Sequence, residues 1–183
     1  MDSKRTPSKG KKINPHYWVF CEGETEEAYV IYLRTRYRIG IDIVPKIIGN
    51  KITSRILVQF KQDKTTHLKD KDFLIYDADV PETLERLKAI RSATLIASNP
   101  SIEFWFLLHY KNQTANITTK ECIKELCNRN RNQYKKGIID HELESKLAEH
   151  CPKACQRAEK LELFNNPSSN MFIFIEELEK HKH

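Results

Sequence analysis

No apolar run in the 183 residues approaches the roughly 18–20 that a membrane-spanning helix needs; the longest lie near Ile102–Leu108 and Met171–Ile175. Glycine and proline are scarce, at 5 and 7 residues, which argues against collagen-like, low-complexity and turn-dense all-β classes. The opening segment, Met1-Asp-Ser-Lys-Arg-Thr-Pro-Ser-Lys-Gly-Lys-Lys, is basic and lacks the apolar stretch of a secretory signal. The five cysteines (Cys21, Cys122, Cys127, Cys151, Cys155) are odd in number, so free thiols of a cytoplasmic protein are expected rather than a disulfide framework. Cys122-x4-Cys127 and His150-Cys151-x3-Cys155 offer zinc-ligand types, but neither is a CxxC pair, and the second spacing also marks one helix face. With 39% hydrophobic and 31% charged residues, the chain has the length and composition of a folded protein of about one domain.

The net charge of +6 is uneven. Residues 1–14 carry five bases and one acid, +4, and the remainder is about +2. A basic, disordered arm beside a nearly neutral body suits attraction to nucleic-acid phosphates, and it equally suits a solvated tail.

Short buried strands and amphipathic helices alternate up to residue 115. Tyr17–Cys21, Phe73–Tyr76 and Thr94–Ala97 read as strands, and Ile39–Ile48 as an extended segment that Pro45 places at an edge. Helices are expected from Thr25 to Arg38, Ile52 to Lys61, Pro81 to Arg91 and Ser101 to Tyr110. Beyond 115 no strand is expected. Helices over 118–130, 140–150, 153–163 and 171–180 make a helical extension (116–183) packed on an α/β core (15–115).

In parallel sheets ligands bind beyond the carboxyl ends of the strands. Glu22 follows the first strand there, and Asp77 and Asp79 follow the Phe73–Tyr76 strand, with i, i+2 spacing that points both the same way while the chain stays extended. Glu24, Glu26 and Glu27 add carboxylates on the next turn. If the two strands are neighbours, these groups converge, repel one another and call for a cation; oxygen-only ligands select Mg²⁺ or Mn²⁺. Turn chemistry and helix-dipole compensation explain the same residues without a metal.

The segment 98–109, Ser-Asn-Pro-Ser-Ile-Glu-Phe-Trp-Phe-Leu-Leu-His, is apolar nearly all round and therefore buried. A carboxylate at its start, Glu103, needs a cation or N–H partners, so it is either a catalytic residue of the site or a helix cap, and His109 is either a packed core histidine or a group that reaches substrate phosphate. Among the bases, Arg131, Lys135 and Lys136 around Tyr134 are the preferred nucleic-acid contacts, combining charge with an aromatic for stacking.

Phe20-Cys-Glu-Gly-Glu-Thr-Glu26 together with Asp77-Ala-Asp79, the 98–109 segment, Cys155-Gln-Arg-Ala-Glu-Lys160 and Asn166-Pro-Ser-Ser169 resembles the RloB-like family, prokaryotic proteins associated with abortive infection and restriction-type defence. The Glu22 and Asp77-x-Asp79 pattern is similar to that of Toprim domains. The resemblance implies a Toprim-like parallel sheet flanked by helices, and a metal-dependent endonuclease acting on DNA or tRNA, with a partner ATPase in some defence systems. It implies Glu22 as a metal ligand or general acid/base, Asp77 and Asp79 as the metal-binding pair, and Glu26 as a second catalytic glutamate, with Glu24 and Glu27 competing with it as metal ligands. At 183 residues the chain has no room for the gate domain of a topoisomerase or the template-binding domains of a primase. The rival reading is a non-catalytic subunit that binds nucleic acid or a partner.

Overall fold

The computed structural model describes residues 15–38 and 42–181. The basic arm, residues 1–14, lies outside them. Side chains along the first strand, β1 (His16–Cys21), alternate between two cores, and this alternation organises the molecule. Tyr17, Val19 and Cys21 enter one core; Trp18 and Phe20 enter the other. The third strand in the chain, β3 (Lys71–Asp77), does the same with Phe73 and Ile75 against Leu74 and Tyr76. A strand buried on both faces is apolar along its buried run, as these two are over Tyr17–Cys21 and Phe73–Tyr76.

The sheet order is β2-β1-β3-β4-β5, with β2 (Asp42–Ile47) and β4 (Thr94–Asn99) parallel to the central pair. Pro45 sits on the edge strand β2, as its missing N–H requires. On one face lie α2 (Ser54–Lys61) and α3 (Pro81–Lys88), which supply Leu57 and Leu87. On the other lie α1 (Glu24–Tyr37), α4 (Ile102–Tyr110), α5 (Thr119–Arg129), α6 (His141–Ala158) and α7 (Met171–Glu179) around the larger core. This is the α/β class expected, a mostly parallel sheet flanked by helices.

Two features depart from the sequence reading. Strands do not stop at residue 115: Ser168–Ser169 form β5, antiparallel to β4, with the two hydroxyls of Ser98 and Ser169 2.8 Å apart. The following Asn170 accepts from the Ala97 N–H (2.6 Å) and donates to the Leu95 carbonyl (3.0 Å). Two residues are too few for an alternation signal. Second, α6 is one helix through Pro152 rather than two. Proline cannot donate to the carbonyl four residues back, but Arg36 of α1 donates to that Ala148 oxygen at 3.1 Å. The helical extension is tied to the core elsewhere too, where Arg157 donates to the Leu108 carbonyl at the end of α4 (2.5 Å).

Candidate active site

Because β1 and β3 are adjacent, with Cys21 opposite Ile75, the residues that follow each strand meet at the carboxyl edge of the sheet. The Glu22 N–H donates to the Ile75 carbonyl (3.1 Å), extending the ladder by one rung. Its side chain turns across and accepts from the Asp77 N–H at 3.0 Å. Asp77 in turn accepts from the Ile102 N–H (3.0 Å) and so caps α4. Glu26, in the first turn of α1, folds back to accept from the Gly23 N–H at 2.9 Å. A Cβ on Gly23 would stand 3.3 Å from that carboxylate oxygen, so any other residue there would push the Glu26 side chain back by a few tenths of an ångström.

Glu103 opens α4 and is 1% exposed. It accepts from the Ser101 hydroxyl (2.6 Å) and the Tyr134 hydroxyl (3.0 Å), and the Lys136 ammonium lies 3.4 Å away. Tyr134 and Lys136 belong to the loop between α5 and α6. Asn130 donates to Asp140 across its base at 2.8 Å, and Gly137, with φ +73°, donates to the Thr25 hydroxyl at 3.0 Å. The loop thereby closes one wall of a cleft of about 310 Å³ lined by Glu22, Glu24, Glu26 and Asp77, with Lys136 as the one base among the described residues that line it.

The electrostatics follow from that imbalance. Burial, then the Glu26, Glu22 and Glu103 charges, push the Asp77 carboxyl up to about 9, against the lowering effect of the Ile102 N–H. Glu26, 6% exposed, is raised by burial and by its neighbours Glu22 and Glu103, while two backbone hydrogen bonds oppose the rise.

Four of the expected residues, Glu22, Glu26, Asp77 and Glu103, are thus brought together. Asp79 is not. The chain bends just past the end of β3, so the i, i+2 alternation no longer applies, and Asp79 is exposed beyond the cleft lining. His109 also lies elsewhere: it is 2% exposed, with Nδ1 on the Trp105 carbonyl at 3.0 Å, too deep to touch a nucleic-acid backbone. Of the basic run, Lys136 reaches the cleft, Lys135 is exposed outside it, and Arg131 pairs with Glu142 at 3.3 Å on the surface. Tyr134 is buried on Glu103 and unavailable for stacking. Ser101, Thr25 and the positioning role of Tyr134 escaped the sequence reading. The serine two residues before a buried acid was the one local signal for them.

A family model described as "RloB-like protein" matches residues 17–178, which is nearly all of the chain. The chain belongs to the RloB-like family. No curated protein and no solved structure matches it. The family match runs from β1 into α7, so in this RloB-like protein the helical extension and the loop carrying Lys136 fall inside the family unit as much as the sheet does.

The donor set suits a hard divalent cation: it is all oxygen, and its acids repel one another with one lysine beside them. As positioned, Glu22 and Glu26 hydrogen-bond to main-chain N–H groups, and among the described residues no group of three or more His, Cys, Asp or Glu side chains stands ready as a metal cage. No helix among the described residues is long and apolar enough to cross a membrane.

Proposed function

We propose that the cleft hydrolyses nucleic-acid phosphodiesters with the help of Mg²⁺ or Mn²⁺, making the protein a Toprim-type endonuclease. The resemblance adds the setting, prokaryotic antiviral defence by abortive infection, with DNA or tRNA as substrate and a partner ATPase as a candidate regulator. One observation carries the reading: carboxylates from the β1–α1 turn, the end of β3 and the start of α4 converge, and among the described residues only Lys136 offsets them. A subunit that merely bound phosphate would gain nothing from such a cluster.

Glu22 and Asp77 would hold the ion, with Glu26 and Glu103 beside them. When bound, it supplies a Lewis acid for the phosphoryl oxygen and lowers the pKa of an attacking water. Lys136, 57% exposed at the rim, is placed to meet a phosphate oxygen entering the cleft. Ser101 and Tyr134 fix both oxygens of Glu103, so that this carboxylate enters the reaction already oriented.

The test is incubation with plasmid DNA, single-stranded DNA and total tRNA, each with Mg²⁺, Mn²⁺ or EDTA, for the wild type, Glu22→Ala and Asp77→Ala. Metal-dependent cutting lost in both variants is the expected result, and the substrate cut names the class. If nothing is cut, the metal-induced shift in melting temperature decides. A shift that disappears in Asp77→Ala keeps the metal site. A shift that is absent, or unchanged in the variant, leaves the non-catalytic subunit.

A further inference from the structure

Helix α1 has two faces of different character. Tyr29, Val30, Leu33 and Tyr37 are buried in the larger core. The outer face carries Glu24, Ala28, Ile31, Thr35 and, as the capping residue, Arg38, at intervals of four, three, four and three. That is heptad spacing, which holds the side chains in one stripe about 20 Å long. Ile31, at its centre, is 39% exposed, and beside it lies a groove of about 360 Å³ lined by Ala28, Ile31, Tyr32, Thr35, Ile139 and Glu144. Ile138, next to Ile139 in the chain, is 52% exposed. Apolar groups exposed together beside a groove mark an interaction surface, whereas apolar residues scattered singly need no explanation.

The charges around the stripe say what covers it. Glu24 and Glu27 stand at the start of α1, Arg34 and Arg38 at its end, and among the described residues none of the four forms an ion pair. Arg36 differs: it is fixed within the fold, on the Tyr32 hydroxyl at 3.4 Å and the Ala148 carbonyl at 3.1 Å. Acids first and bases last suit the helix dipole. The same order makes the stripe complementary to itself when it is turned end for end about Ile31. Glu24 and Arg38, seven residues to either side, then face each other. Glu27 and Arg34, four before and three after, lie on one flank of the stripe and meet at nearly the same height. A two-fold pair obtains this match from a single sequence, because every contact is made twice.

We propose that α1 is a homodimer interface, in which two copies pack antiparallel along this stripe with Ile31 at the two-fold axis. Ile31 of each copy enters between Ala28 and Thr35 of the other, where the small side chains leave room for it. The Glu24–Arg38 and Glu27–Arg34 pairs form on both sides of the axis and fix the antiparallel sense. Because Glu24 also lines the acid cleft, the second copy's Arg38 comes to stand at the rim of that cleft, a further base beside Lys136. The pairing itself does not rest on what the cleft does.

The test is sedimentation equilibrium of the full chain in EDTA and low salt over a range of concentrations. A species of twice the 21.6 kDa chain mass is expected, with a Kd of about 10 μM or tighter. Ile31→Glu should weaken it at least about a hundredfold, with unchanged circular dichroism, because two acids would meet at the axis. Arg38→Glu should weaken it about tenfold, and adding Glu24→Arg to the same chain should restore the wild-type Kd to within about threefold. Restoration by the second reversal is what a merely destabilised helix would not give. A monomer at every concentration overturns the proposal and leaves the stripe to a different partner. So does a dimer that folded Ile31→Glu leaves intact, or one that the double reversal fails to restore. Should Ile31→Glu fail to fold, the wild-type mass and the charge reversals decide by the same criteria.

Discussion

The two ends of the sheet treat buried acids in opposite ways. At the amino end three acids among the described residues each have a partner. Asp72 bonds to Lys61, Asp70 accepts from the N–H groups of His16 and His67, and Glu177 of α7 takes Lys71 at 2.6 Å, Lys180 at 3.2 Å and the Tyr17 hydroxyl. Although burial works to raise it, Glu177 is held down to about 2 by its hydrogen bonds to Lys71, Tyr17 and Lys180. At the carboxyl end Asp77 and Glu26 are raised, because burial is reinforced by other acids. Charge is neutralised where the fold is being secured and left unneutralised where a ligand is expected. The strain of such a site is carried by packing elsewhere in the molecule.

Substitutions at the two ends should therefore differ in sign. The largest effect is at the carboxyl end: Asp77→Asn should lower metal-dependent cleavage at least about a hundredfold, while in EDTA it should raise the melting temperature as pH approaches and passes about 9, where the wild-type carboxyl ionises against its acidic neighbours. A fall in that temperature would mean that the hydrogen bond to Ile102 outweighs the repulsion. Next, Glu177→Ala should destabilise by about 0.5–1.5 kcal/mol in urea titrations, since it removes the charged acceptor of the Tyr17 hydroxyl and leaves His181 Nε2, 2.9 Å away, to replace it; the half-exposed lysines add little.

The pH dependence sharpens the contrast further. The Glu177 carboxyl is depressed in the folded state, from 4.5 to about 2. Its stabilisation is therefore complete above about 4.5 and is lost as pH falls toward about 2. Glu177→Gln should flatten the melting-temperature curve in that window; an equally steep curve would assign the acid sensitivity to other groups. The smallest effect belongs to Lys136→Ala. It should weaken nucleic-acid binding a few-fold and reduce the salt slope by about 1, with stability within about 0.5 kcal/mol of wild type. An unchanged salt slope would remove Lys136 from the phosphate contacts.

Glu22 and Asp77 were legible because an acid directly after an apolar β-run has one place to go in a parallel sheet. Glu103 was legible as a charge in an otherwise apolar helix. Asp79 was expected beside Asp77 by period-two alternation, which ends where the chain bends, and the structure leaves it exposed outside the cleft lining, as the turn chemistry of the same segment allows. Tyr134 reads as a surface aromatic among bases. Its burial depends on contact with Glu103, 31 residues away, a tertiary fact that no local pattern carries. The same holds for α6, where Pro152 reads as a break until Arg36, 112 positions from Ala148, supplies the missing donor.

Asn170 has a consequence for what the protein does not do. Its amide meets β4 as a neighbouring strand would, receiving one main-chain N–H and covering one carbonyl, while two residues of β5 extend the edge no further. At the opposite margin Pro45 withholds a donor from any strand that approached β2. Both margins are thus poor templates for docking another chain edge to edge, the route by which open sheets aggregate. A protein that concentrates unneutralised charge at one end of its sheet has, at the sides, closed the sheet against its own copies.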